Sequence, residues 1–193
     1  DYFKMEILGE TLDDAVGEAF DKSAKILGLP YPGGPLIDAL AKEGNPLAFK
    51  FPKPKVAPLV FSFSGFKTAI LYFIQKQTAV DPNFIVKNKA DLCASIQYTL
   101  VNYLIEKLHN AVRATGIKEI AIGGGVAANS GLRSALKDSQ EKYGWQVHIP
   151  PFAYCTDNAA MIAMAGALKY EQGLFDSYHC KAHPREKIYE TSL

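Results

Sequence analysis

Cysteine is scarce in this chain, with Cys93, Cys155 and Cys180 the only three among 193 residues. An odd number without CxxC spacing argues against a disulfide framework or a cysteine zinc centre. A reducing, cytoplasmic compartment is the expectation. Long apolar runs are missing too, since no stretch approaches the ~20 residues that a membrane-spanning helix needs. The opening residues, DYFKMEIL, lack the basic, then apolar, then small-residue order of a secretory signal. They also lack an initiator methionine, so the chain is expected to start inside a longer polypeptide. Excess charge is absent as well: the net charge is +1. No broad basic surface announces a nucleic-acid binder, and any RNA contact must be local. Residues 50–55 (KFPKPK) and 179–187 (HCKAHPREK) could supply one, although such clusters are usually solvated surface.

What is present is ordinary globular material, 48% hydrophobic and 21% charged. At this length one domain, or a domain plus a remnant, can bury roughly 70% of its unfolded surface. Residues 2–8 read as a short strand. Leu12, Ala15, Val16, Ala19, Phe20, Ala24 and Leu27 then recur at helical steps, with Asp13 and Asp14 in the expected first turn and Gly28 as the stop. LPYPGGP is a rigid loop, and a short helix is expected over 36–42. Four prolines make 45–58 irregular or an edge strand. Phe61-Ser-Phe-Ser alternates like a strand before a helix that runs to about residue 77. The spacing of Leu92, Ile96, Leu100, Leu104 and Leu108 predicts a long helix over 89–115, capped by Gly116. Residues 119–122 form a strand, 123–129 a glycine loop, and 130–143 a helix. A strand over 145–149 follows, and then an apolar helix with Thr156 or Asp157 as its N-cap. This alternation is α/β with at least one parallel crossover.

Several residues could carry chemistry. Gly123, Gly124 and Gly125, at a strand-to-helix turn, suit close approach of a nucleotide, with free N–H groups aimed at it. They match neither the GxGxxG nor the GxxxxGK[ST] pattern, and a tight turn where helix and strand pack closely explains them equally well. Asn129 could bond a base or sugar, or could simply cap a helix. Asp14, Glu18 and Asp21 share one helix face, where carboxylates can hold ribose hydroxyls or a cation; ion pairs from Glu18 to Lys22 and from Asp21 to Lys25 are the plainer reading. Asp157 reads as either a cap or a metal ligand. His179 and His183 have metal-pair spacing but no catalytic glutamate, and read as surface. Ser62 and Ser64 lack a GxSxG elbow, and His109 lies among apolar helix residues, so a serine hydrolase is disfavoured.

Taken together, LGETLDDAVGEAFDKSAKILGLPYPGGP (8–35), FSFSGFKTA (61–69), IGGGVAANSGLR (122–133) and YCTDNAAMIA (154–163) resemble the universal tRNA threonylcarbamoyladenosine transferase family, TsaD in bacteria, formerly described as an O-sialoglycoprotein endopeptidase. The four stretches follow the family's order and span nearly the whole chain. The resemblance implies a ribonuclease-H-like, actin-like ATPase (ASKHA) lobe that is incomplete. Residues 1–155 would form the second, nucleotide-binding lobe without its first hairpin. Residues 156–193 would form a C-terminal helix and tail returning to the absent first lobe.

By the same resemblance, Asp21 and Gly34 would hold the ribose side of a nucleotide. Gly123, Gly124, Gly125 and Asn129 would hold its adenosine and phosphate side, and Asp157 would ligate a metal. No catalytic residue is assigned. The implied activity transfers threonylcarbamoyl from threonylcarbamoyl-AMP to N6 of the adenosine adjacent to the anticodon of tRNA. It would use one divalent ion per subunit, Fe2+ or Zn2+ with Mg2+ as the alternative, and the partner proteins TsaB and TsaE. The family's HxxxH pair and Ser-Gly-Gly-His-Thr hairpin would precede residue 1, so this chain alone is expected to be inactive. A metal-dependent glycoprotease and a non-catalytic nucleotide-binding assembly module are the alternatives.

Overall fold

Leu92, Ile96 and Leu100 fall one helical turn apart, and the helix they specify is the spine of the fold. In the computed structural model, which describes residues 3–179 and 181, that helix is α5, Lys89–Thr115. Before it come α1 (Val16–Ile26), α2 (Gly33–Ala41), α3 (Ser64–Val80) and the single turn α4 (Phe84–Lys87). The apolar face of α5 packs along α2, and α1 lies against α2 and α3. Phe20, Ile37, Phe66, Ile70, Leu92 and Ile96 meet in the main core. Each such side chain contributes ~1.5–3 kcal/mol on burial, so this cluster fixes how α1 and α2 face one another. The proline-rich segment between α2 and α3 is anchored by Phe51, edge-on to Phe66 and Phe73. Its end is tied to α5 where Lys107 Nζ donates to Ala57 O (2.8 Å) and Asn110 Nδ2 to Pro58 O (3.0 Å).

Gly116, at φ +74°, ends α5 in the left-handed conformation that glycine accepts without strain. Strand β1 (Glu119–Ala121), helix α6 (Ser130–Tyr143) and strand β2 (Gln146–His148) follow. The strands pair in parallel, Ile120 opposite Val147, as the predicted crossover requires. Val101, Leu132 and Leu136 form a second core cluster between α5 and α6, with Ile122, Val147 and Ile149 packed on it. One 3-10 turn (Gly125–Ala128) lies within the glycine loop and another (Phe152–Tyr154) precedes α7 (Ala159–Glu171). Among the described residues the fold is therefore mostly helical, with one small parallel sheet. None of its helices is long and apolar enough to cross a membrane.

Five expectations are corrected. The strand over 2–8 does not form among the described residues, and the strand at 61–64 shrinks to a one-residue bridge between Thr11 and Phe61. A strand needs a partner along its length, and here backbone pairing is confined to Leu12 N to Phe61 O and Phe61 N to Glu10 O. Helix α1 starts at Val16 rather than beside Asp13. Asp13 instead reaches the start of α3, accepting from Phe63 N (2.6 Å), Ser64 N (3.2 Å) and Ser62 Oγ (2.6 Å). The short second helix begins earlier, on Gly33 itself. Finally, α7 is capped by Asn158, whose side chain accepts from Met161 N (3.0 Å), so neither Thr156 nor Asp157 is the cap.

Candidate functional site

Asp21 and Gly34 meet directly. The Asp21 carboxylate on α1 accepts through Oδ1 from Gly33 N (2.8 Å) and Gly34 N (3.1 Å), the first free N–H groups of α2. Pro32, the preceding residue, has no side-chain acceptor to offer them, so Asp21 caps α2 from a neighbouring helix. The expected Asp21–Lys25 ion pair is not what this carboxylate makes; Lys22 instead pairs with Asp14 and with Glu18 (3.2 Å). Gly33 is required by packing, because a Cβ there would lie 2.3 Å from the Ala24 Cβ. Gly34 is not: its Cβ would make an ordinary 3.8 Å contact with Phe20.

The surroundings of the glycine loop bear on one of its two readings, the tight-packing one. At Gly123, Gly124 and Gly125 an added Cβ would meet nothing within 4 Å, so close packing of helix on strand does not explain them. Gly124 adopts φ +83°, which calls for glycine. Gly123 and Gly125 are in no such conformation, and nothing among the described residues crowds them. The N–H groups of Gly124 and Gly125 have no hydrogen-bond partner among the described residues, so open backbone with free donors is what the loop presents. Two of the first three N–H groups of α6, behind it, are already taken. Asn129 Oδ1 accepts from Leu132 N (2.9 Å), and Asp38 of α2 accepts from Ser130 N (3.1 Å) and Ser130 Oγ (2.7 Å). An anion here would therefore meet chiefly the loop amides, with the Gly131 N–H the one early donor of α6 that has no partner among the described residues.

These segments are linked by direct contacts. Gly17 of α1 sits against Val126, its Cβ position 3.5 Å from Cγ2, and Asp38 links α2 to the start of α6. Arg133 joins the next segment to them, since Nε donates to Ala127 O (2.7 Å) and Nη2 to Pro150 O (2.6 Å). Its guanidinium also lies 4.0 Å over the Phe152 ring and 3.2 Å from Cys155 Sγ. Asp157 follows this bracketed segment. It is exposed and, with Asn158 as the cap, has no hydrogen bond or ion pair among the described residues. The described residues contain no cluster of three or more His, Cys, Asp or Glu side chains able to hold an ion. Asp157 by itself is therefore not a metal centre among the described residues.

Other candidates are placed more simply. His109 packs between Tyr143 (centroids 4.0 Å) and Trp145 (4.6 Å), and burial, then Lys142 and Arg113, hold its pKa below the usual histidine range. Lys53 of the basic stretch is paired with Glu106 (2.7 Å). His179 is exposed, and His183 lies outside the described residues, as does most of the second basic stretch. Sequence reasoning missed Asp38, Gln97 and Arg133. Their partners are backbone groups or residues far along the chain, and the one available signal is an acidic residue lacking a local partner on α2.

Comparison with known proteins gives a consistent answer. A family model described as "TsaD: tRNA N6-adenosine threonylcarbamoyltransferase" matches residues 1–164. A protein of Christiangramia forsetii with the name tRNA N6-adenosine threonylcarbamoyltransferase is 64% identical over 188 residues, 97% of this chain and 55% of that protein. Proteins of the same name from Cytophaga hutchinsonii and Porphyromonas gingivalis are 57% and 56% identical, covering 97% and 90% of this chain and 54% and 51% of theirs. The chain spans about half the length of the curated relatives it matches.

Proposed function

Because the chain belongs to the tRNA N6-adenosine threonylcarbamoyltransferase family, we propose that it supplies the nucleotide-binding side of an enzyme that moves threonylcarbamoyl from threonylcarbamoyl-AMP to N6 of the adenosine beside the anticodon of tRNA. In that reaction the N6 amine attacks the carbamoyl carbonyl carbon, the bond to the phosphate oxygen breaks, AMP leaves, and N6 loses a proton. The exocyclic amine is a weak nucleophile, so the site has to favour the departing phosphate. The observation that carries this reading is the glycine loop, whose open backbone and free N–H groups suit a phosphate. On α1, whose Gly17 touches Val126, the Asp21 oxygen Oδ2, which makes no hydrogen bond among the described residues, suits a ribose hydroxyl, and Gly34 allows that sugar to approach.

Asp157 would give one carboxylate to a divalent ion, Fe2+, Zn2+ or Mg2+, whose other ligands belong to the remaining half of a full-length protein. No step of the reaction is assigned to that ion. Residues 1–155 form the incomplete ASKHA lobe in this reading, and residues 156–193 pack toward the other lobe. The apolar residues of α7, none of them buried in this chain, support that placement. tRNA, TsaB and TsaE are the partners.

The test uses the full-length protein and the separate variants Gly123→Val, Gly125→Val and Asp157→Ala. Open space at both glycines predicts unfolding free energies within ~0.5 kcal/mol of wild type. Loss of nucleotide binding in the glycine variants, and of tRNA modification in D157A, is expected. Wild-type nucleotide affinity in both glycine variants refutes the loop's role, and wild-type modification by D157A removes Asp157 from the site.

A further inference from the structure

Gln97 is a buried residue of α5 whose side chain ends at the start of α6. Asn129 Nδ2 donates to Gln97 Oε1 at 2.7 Å, while Asn129 Oδ1 accepts from Leu132 N. These two bonds fix the sense of the Asn129 carboxamide. Turning it over would set its carbonyl oxygen against Gln97 Oε1 and its NH2 against the Leu132 N–H. Gly131 faces the same side chain, since a Cβ there would stand 2.7 Å from Gln97 Nε2. The cap itself needs only Oδ1; the bond to Gln97 satisfies the buried Nδ2 and orients it. Of the two hydrogens on Asn129 Nδ2, one goes to Gln97 and the other has no partner among the described residues.

We propose that Gln97 is a positioning residue for nucleotide recognition, holding the Asn129 carboxamide so that its remaining Nδ2–H is offered to a hydrogen-bond acceptor of the nucleotide. This rests on the assignment of Asn129 to the nucleotide site. It narrows that assignment: the atom Asn129 reads is a ring nitrogen or an oxygen, not an amino group.

The experiment measures AMP affinity by calorimetry, and melting temperature, for full-length protein carrying Q97M, Q97E, N129S or Q97M with N129S. Serine keeps the cap and removes Nδ2. Q97M and N129S should each weaken AMP about tenfold, the loss of one oriented hydrogen bond. The double variant should bind no more weakly than N129S, because Gln97 acts through Asn129. Q97E retains an acceptor for Asn129 and should stay within about threefold of wild type. Unchanged AMP affinity in Q97M, or a double variant whose loss is the product of the two single losses, overturns the proposal. Should Q97M fail to fold, a tenfold loss in Q97E with an unchanged melting temperature overturns it equally. Unchanged affinity in N129S would instead sink the assignment of Asn129 itself.

Discussion

Asp13 and Asp21 look interchangeable along the sequence, but each carboxylate caps a different helix from a distance. For Asp13, burial works against the charge, yet the hydrogen bonds from Phe63, Ser62 and Ser64 outweigh it and bring the pKa below 3.8. A folded pKa below the unfolded one means that the stabilisation is complete above the unfolded value and is lost as pH falls through the folded value. Asp13→Asn should therefore cost about 0.5–1 kcal/mol at pH 7, the low end for a cap because the carboxylate is exposed. The gap to wild type in thermal melts should close below about pH 4. His109 acts in the same direction: its depressed pKa makes protonation oppose folding, so stability falls as pH drops from 6.5. His109→Phe should flatten the dependence of melting temperature on pH between about 7 and 5. The glycines separate by the same logic of surroundings. Gly33→Ala should destabilise by about 1–3 kcal/mol, because its Cβ would overlap Ala24. No spacing rule reveals which of the glycines in PGGP and IGGGV are crowded and which are open, since the crowding atoms come from other helices.

Helices were the legible elements. The limits of α5 coincide with those implied by apolar spacing and by Gly116, and α6 spans the expected 130–143, because the signals for a helix and its stop lie within a few residues of each other. The short strands of the crossover were legible for the same local reason, as apolar runs between glycines and prolines. Strand pairing over 2–8 was not, since it depends on what lies alongside. Helix α7 shows the limit of pattern reading: its small apolar sequence suggests burial, yet Met161, Ile162 and Met164 are 48%, 66% and 63% exposed. Backbone protection follows packing rather than hydropathy. Hydrogen exchange on this chain should find the amides of α7 among the first helical amides to exchange and those around Leu92, Ile96 and Leu100 among the last. Equal protection in the two helices would contradict the exposed placement of α7.

At the scale of the whole molecule, the α/β class was readable as connectivity, one parallel crossover, but not as proportion, since the helices outweigh the two-stranded sheet. The candidate site was readable in part. Its named residues were visible as motifs, whereas the ties that assemble them, Asp38 to Ser130, Gln97 to Asn129 and Arg133 to Pro150, span 92, 32 and 17 positions and leave no local trace. The longest of these ties has a consequence in time. Loop-closure entropy makes distant contacts slow to form, whereas helical turns appear almost at once. After dilution from denaturant, far-ultraviolet ellipticity should recover ahead of ligand affinity, and the lag should lengthen when Asp38→Asn loosens the junction.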